Sequence, residues 1–175
     1  MALTEARRRH FDDMRFVAFD SFEGLPEPTS QADVPGYFAG ALRTSEEAFR
    51  RLIGAHGVYV DRCEVVKGLF QTSLTRRLQQ RWRSAGRKLA MACIDCDLYE
   101  SAVPVFRFIE PFLQEGSLIY IDDWFAGYKG SPLKTIARAF HKFERASRFR
   151  FAPHVQVGWW GRSFIAYQDR SRRSR

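Results

Sequence analysis

Two apolar runs, each closed by acidic residues, dominate the pattern along this chain. Lys88-Leu-Ala-Met-Ala-Cys-Ile94 runs into Asp95-Cys96-Asp97, and Ser117-Leu-Ile-Tyr-Ile121 runs into Asp122-Asp123. Continuous apolar runs, rather than alternating ones, predict strands at the centre of a parallel sheet, covered on both faces. In open sheets of that kind the ligand crevice lies beyond the carboxyl ends of the strands. Carboxylates converging there repel one another unless a cation neutralises them. Hard oxygen donors of this type suit Mg²⁺ or Mn²⁺.

The rest of the pattern supplies the frame. Leu3 to Met14 reads as a charged helix and Arg15-Phe-Val-Ala-Phe19 as a strand ending at Asp20. Ser21 to Thr44 is a long loop rich in Pro, Gly and small polar residues, of the kind that forms lids or binding loops. Thr44 or Ser45 caps a helix that carries Glu46 and Glu47 in its first turn and reaches about His56. Cys63 to Lys67 is a strand closed by Gly68, and Leu74 to about Ala85 is a helix. Glu100 to Leu113 predicts an amphipathic helix stopped by Gly116. Leu133 to Ala146 predicts another, with Ile136, Ala139, Phe140 and Phe143 on one face. Phe149–Phe151 and Ser163–Tyr167 close the chain as an antiparallel hairpin joined through Gly158-Trp-Trp-Gly161. Alternation of strands and helices predicts an α/β fold with a mainly parallel sheet.

Composition narrows the class. At 175 residues, with 45% hydrophobic residues and 16 Phe, the chain is one globular domain with enough apolar surface for a proper core. No run approaches the ~20 apolar residues of a membrane span. Arg7, Arg8 and Arg9 are followed by no apolar segment, so neither a secretory signal nor a membrane partner is expected, and the location predicted is cytoplasmic. Cys63, Cys93 and Cys96 read as reduced thiols; Cys93 lies within a strand and should face away from Cys96. Of the net charge of +8, residues 169–175 carry four Arg against one Asp. They read as a solvated basic tail beyond a domain of residues 1–168, and nucleic acid is not expected as a specific partner.

Site candidates follow from position. Asp20 ends a strand, where a carboxylate can accept hydrogen bonds from both hydroxyls of a ribose. Tyr37 and Phe38, in the long loop, are candidates for touching substrate, whereas Trp159 and Trp160 are expected to pack on the sheet. His10, His56, His141 and His154 are scattered and suggest no general base.

Four linked blocks carry a resemblance. Phe19-Asp-Ser-Phe-Glu-Gly-Leu-Pro26, Lys67-Gly-Leu-Phe70, Ile94-Asp-Cys-Asp-Leu-Tyr-Glu-Ser101 and Ile121-Asp-Asp-Trp124 resemble, in order and spacing, the signature of the macrocin O-methyltransferase (TylF/MycF) family. The resemblance runs from about Arg15 to Tyr167. It implies a class I, Rossmann-like methyltransferase fold, with S-adenosylmethionine and Mg²⁺ as cofactors and a hydroxyl of a sugar or natural product as acceptor. Carried over by residue, Asp20 would hold the cofactor ribose, while Gly68, Phe70 and Gln71 would line its adenine. Asp95, Asp122 and Asp123 would bind the metal. Asp95 would also border the cofactor and help remove the acceptor proton. Asp97 and Tyr99 are expected in supporting or helix-start roles.

One expected element has no counterpart. Class I methyltransferases hold the methionine end of the cofactor with a glycine-rich turn ahead of the strand ending at Asp20. Here the first glycine is Gly24. The first strand and helix are therefore expected to be incomplete, whether the chain is a fragment, has a mis-assigned start or is naturally truncated, and cofactor affinity is expected to suffer. Two alternatives compete with methyl transfer: a noncatalytic remnant binding polyanions through its basic ends, and a metal-dependent phosphohydrolase using Asp95 and Asp97. Homo-oligomerisation is left open.

Overall fold

The structure, a computed structural model, describes residues 14–29, 36–57, 60–126, 129 and 131–169. The helix expected over Leu3–Met14 and the basic tail lie outside these residues, save Met14 and Asp169. In chain order the elements are β1 (Phe16–Asp20), α1 (Glu46–Ala55), β2 (Cys63–Lys67), α2 (Phe70–Ser73), α3 (Arg76–Ser84), β3 (Met91–Ile94) and α4 (Tyr99–Ile109). β4 (Leu118–Ile121), α5 (Thr135–Ala146), β5 (Arg150–Val157) and β6 (Gly161–Tyr167) complete them.

Local chemistry sets the boundaries. Ser45 caps α1, its side chain accepting from the Ala48 N–H, with Glu46 and Glu47 in the first turn. Thr75 does the same for α3 by accepting from Leu78 N–H. The single helix expected over Glu100–Leu113 ends instead at Ile109 and passes into a 3₁₀ turn over Glu110–Phe112. Pro111 is the cause, since it has no N–H to return to the Arg107 carbonyl. That carbonyl accepts from Gln79 Nε2 at 3.3 Å, as the Phe108 carbonyl does at 3.1 Å.

The strands form two sheets rather than one. β1 and β2 are a parallel pair, from Phe16 opposite Cys63 to Asp20 opposite Lys67. The second sheet has the order β3-β4-β6-β5, with β3 parallel to β4 and the remaining pairs antiparallel. The expected closing hairpin is present, but β5 extends to Val157, well past Phe151. Its outer residues are exposed, so the hydrophobic pattern gave no sign of them. Trp159 and Trp160, expected to pack on the sheet, are instead 87% and 52% exposed at the hairpin tip. A tip turn projects beyond the strands and has no sheet beneath it.

β3 also departs from expectation. It starts at Met91 rather than Lys88, and of its four residues only Ile94 is buried. Among the described residues β3 is the edge of its sheet, so Met91 and Cys93 stay exposed. The buried core is built from Ile94 onward: Phe106, Phe108 and Phe112 around α4, Ile119 and Ile121 from β4, Ile136 and Phe140 from α5, and Phe164 from β6. Phe140 lies at its centre, with ring contacts to Phe106, Trp124, Phe151 and Phe164.

Candidate active site

Parallel pairing of β3 with β4 fixes the centre of the site. Ile94 lies opposite Ile121, so both strands end level and their acidic clusters emerge side by side. The Asp122 N–H continues the ladder to the Ile94 carbonyl at 3.0 Å. Oxygens of Asp95, Asp97 and Asp123 come within 4.8 Å of one another. Asp97 reaches this group from a left-handed backbone conformation (φ 56°), which Asp tolerates better than most residues. Sequence reasoning gave Asp97 a supporting role; the structure brings its carboxylate into the tight group. Asp122 stands beside that group and accepts a hydrogen bond from the Tyr120 hydroxyl.

The electrostatics record crowding. Burial, followed by the charges of Asp97 and Asp95, raises the Asp123 pKa to about 7. Asp95 is raised as well, by burial and then by Asp122, Asp97 and Asp20. Partial desolvation, then the charges of Asp95 and Asp122, push the Cys93 thiol upward although the residue is at the sheet edge. The hydrogen bond to Asp122 is the main cause that lifts the Tyr120 phenol to about 12. A hydrogen bond between Asp123 and Asp97 contributes to the shift of Asp123. A proton there does part of what a bound cation would do. Asp123 Oδ2, buried and without a hydrogen-bond partner, is an oxygen still wanting a positive neighbour. Hard oxygen donors this close, one of them unpartnered, fit a divalent cation.

The second half of the site comes from the first sheet. The N–H of Gly68 donates to the Asp20 carbonyl at 2.9 Å, bringing the end of β1 against the turn after β2. Asp20 Oδ1 accepts from the Phe22 N–H at 2.5 Å, which fixes the carboxylate at the crevice edge. A crevice of about 150 Å³ is lined by Asp20, Gly68, Phe70, Gln71 and Asp95, together with Cys96, Asp97 and part of the long loop. Five candidates chosen from separate stretches of sequence therefore share one hollow. Phe70 and Gln71 open the short helix α2, which the hydrophobic pattern had not indicated.

The long loop closes one side. Leu25 N–H donates to the Ala41 carbonyl and Gly40 N–H to the Leu25 carbonyl, both at 2.9 Å. Gly24 makes this crossing feasible: its φ is +85°, and a Cβ there would sit 2.5 Å from the Ala41 oxygen. Thr29 Oγ1 donates to Glu100 Oε1 at 2.8 Å, tying the loop to α4. Of the two loop aromatics, Tyr37 reaches the carboxylates and its hydroxyl donates to Asp97, whereas Phe38 is 65% exposed. Burial and that hydrogen bond raise the Tyr37 pKa strongly, so the phenol keeps its proton. Tyr120 was missed by sequence reasoning. Its position two residues before Asp122, on the same face of β4, was the available signal.

A model of the macrocin-O-methyltransferase (TylF) family matches residues 5–164. No curated protein matches the chain by sequence. Among solved structures, the chain is similar to the O-methyltransferase NovP, at 20% identity and a TM-score of 0.67, over 93% of this chain and 65% of that one. It is equally similar to CalS11, a calicheamicin methyltransferase, at 20% identity and a TM-score of 0.68, over 95% of this chain and 66% of that one. An O-methyltransferase from Bacillus cereus in complex with SAH follows at 16% identity and a TM-score of 0.50, over 88% of this chain and 74% of that one. The chain thus spans just under two thirds of the first two relatives. At these identities the likeness establishes the methyltransferase-like α/β fold. Among the described residues no helix is long and apolar enough to cross a membrane.

Proposed function

Because this chain belongs to the macrocin-O-methyltransferase (TylF) family, we propose that it methylates a hydroxyl of a sugar or similar natural product, using S-adenosylmethionine and Mg²⁺. The observation that carries this reading is the convergence of Asp20, Gly68, Phe70 and Gln71 with Asp95 on one crevice, beside the cluster of Asp95, Asp97 and Asp123. The family match favours methyl transfer over phosphohydrolysis.

Each residue has a task suited to its chemistry. Asp20, exposed at the end of β1, accepts from ribose hydroxyls. Phe70 and Gln71 offer the adenine an apolar face and an amide edge. Asp95 and Asp123 hold the cation, with Asp97 or Asp122 completing the carboxylate set. A divalent cation bound there lowers the pKa of an acceptor hydroxyl, and the sulfonium of S-adenosylmethionine supplies an already activated methyl. Asp95 lies where both halves of the site meet, lining the crevice and belonging to the carboxylate cluster, which places it to take the hydroxyl proton. Tyr37 covers the carboxylates and, as a neutral phenol, excludes water without adding charge.

Isothermal titration with S-adenosylmethionine, with and without Mg²⁺, tests the cofactor half. Micromolar binding is expected to fall at least tenfold in Asp20→Ala. Transfer of a radiolabelled methyl group to sugars bearing free hydroxyls tests the rest. Such transfer should require Mg²⁺ and drop at least a hundredfold in Asp95→Asn. Turnover undiminished by a chelator, or a folded chain blind to the cofactor, would sink the proposal.

A further inference from the structure

A group of basic side chains lies far from the carboxylates. A hollow of about 420 Å³ opens at the other end of β3 and is lined by Arg83, Arg87, Lys88 and Arg148 around Gly86 and Glu110. Lys88 precedes Asp95 by seven residues of largely extended chain, a span of roughly 20 Å. The two sites are therefore on opposite ends of the sheet.

Local structure explains how the cations are gathered. α3 ends at Ser84, and a turn with Gly86 at φ +65° follows, the Gly86 N–H bonding the Arg83 carbonyl at 3.0 Å. The Arg87 N–H returns to the Trp82 carbonyl at 3.1 Å. The chain therefore doubles back and sets Arg87 and Lys88 beside Arg83. From the other side, Glu110 accepts from Ser147 Oγ at 2.8 Å and from the Arg148 N–H at 3.3 Å, which holds Arg148 at the rim. Both carboxylate oxygens of Glu110 are thus already engaged. Arg87 is fixed over the Trp82 ring at 4.7 Å and lies 3.6 Å from Glu64. Arg83 and Lys88 are exposed and have no ion pair among the described residues.

With Arg87 paired to Glu64, the hollow still sets Arg83, Lys88 and Arg148 around one carboxylate, Glu110, an excess of positive charge. The C-terminus of α3 carries only about half a negative charge, enough to account for one arginine but not the set. Guanidinium groups arranged around a concavity match phosphate oxygens, which they bind in pairs. The volume admits more than one phosphate group. We propose that this hollow is a binding site for a small phosphoanion of the pyrophosphate class, separate from the methyl-transfer site.

Titration of inorganic pyrophosphate into the full chain at low salt, followed by calorimetry, tests this. Binding should be submillimolar, weaken with added salt and be at least tenfold tighter than for orthophosphate. Lys88→Glu combined with Arg148→Glu should weaken it at least tenfold. Both residues are exposed, so the melting temperature should hold, and a circular dichroism melt checks that. Asp123→Asn should leave pyrophosphate binding unchanged. Equal affinity in the doubly reversed variant would put the anion elsewhere on this basic chain and overturn the proposal. So would tight binding of a single-stranded oligonucleotide by a chain that ignores pyrophosphate.

Discussion

The two halves of the candidate active site rest on very different foundations. The carboxylate half stands on β3, β4 and α4, in a region that supplies, among the described residues, every buried core hydrophobic except Phe22. The half that carries Asp20 and the turn after Lys67 stands on a two-stranded sheet whose residues are at best half-buried. That half docks mainly through partly buried groups, with Phe19 and Trp82 in ring contact with Phe108 at 5.8 and 5.3 Å. A two-stranded sheet is marginal alone and depends on what it packs against. The contrast teaches that cation binding and cofactor binding need not fail together.

The largest effect that would break this comparison is on the core. Phe140→Ala removes a ring that is 1% exposed and packs among those of Phe106, Trp124, Phe151 and Phe164, and should cost about 3–5 kcal/mol by urea denaturation. Val65→Ala in β2, where the side chain is half-buried, should cost about 1 kcal/mol. Hydrogen exchange should show the same order, with amides of β1 and β2 opening well before those of β4 and β6. Similar costs and similar protection in both sheets would mean that the halves form one cooperative unit.

The carboxylate half should respond to pH and cation in a linked way. Asp123 and Asp95 bind protons more tightly in the folded chain than the usual carboxylate does. These two groups therefore stabilise the metal-free fold at low pH, a contribution that is lost as pH rises from about 4 through about 7. The melting temperature of chelator-treated protein should drop between pH 5 and pH 8. Mg²⁺ at a hundred times its dissociation constant should return about 2.7 kcal/mol at pH 8. Its effect should be smaller at pH 5, where protons occupy the same oxygens. Asp123→Asn should flatten both responses while leaving the exchange rates of β1 and β2 unchanged.

The legible parts of this molecule were those where local chemistry acts alone. A cap at Thr44 or Ser45 and the acidic ends of two apolar strands could be read directly, because a cap needs only its own turn and an apolar run closed by charge marks a strand end whether or not neighbours cover it. What escaped depended on partners distant in sequence. Trp159 and Trp160 look like core residues until the hairpin tip is seen to lie beyond the sheet. β5 past Phe151 has no hydrophobic signal because its residues there are exposed on both faces. Tyr37 is some sixty residues from Asp97, and no periodicity could have joined them. The basic hollow escaped for the same reason, since Arg83 and Arg148 meet only through the fold.

Tyr120 supplies the smallest but sharpest test of how the core positions the site. Its ring passes over Gly161, where an added Cβ would collide with the ring and hydroxyl. Its hydroxyl meets Asp122, so the glycine at the start of β6 sets where that carboxylate points. Gly161→Ala should cost about 1–2 kcal/mol through overpacking, well below the cost of Phe140→Ala. Its diagnostic effect lies elsewhere. With the ring displaced, Asp122 loses its phenol donor and is released toward the cation, so Mg²⁺ affinity should change severalfold while pyrophosphate affinity does not. Tyr120→Phe removes the same hydrogen bond without the collision. If both variants shift Mg²⁺ affinity alike, the hydroxyl holds Asp122 back; if only Gly161→Ala does, the effect comes from the collision with the ring and not from the lost hydrogen bond.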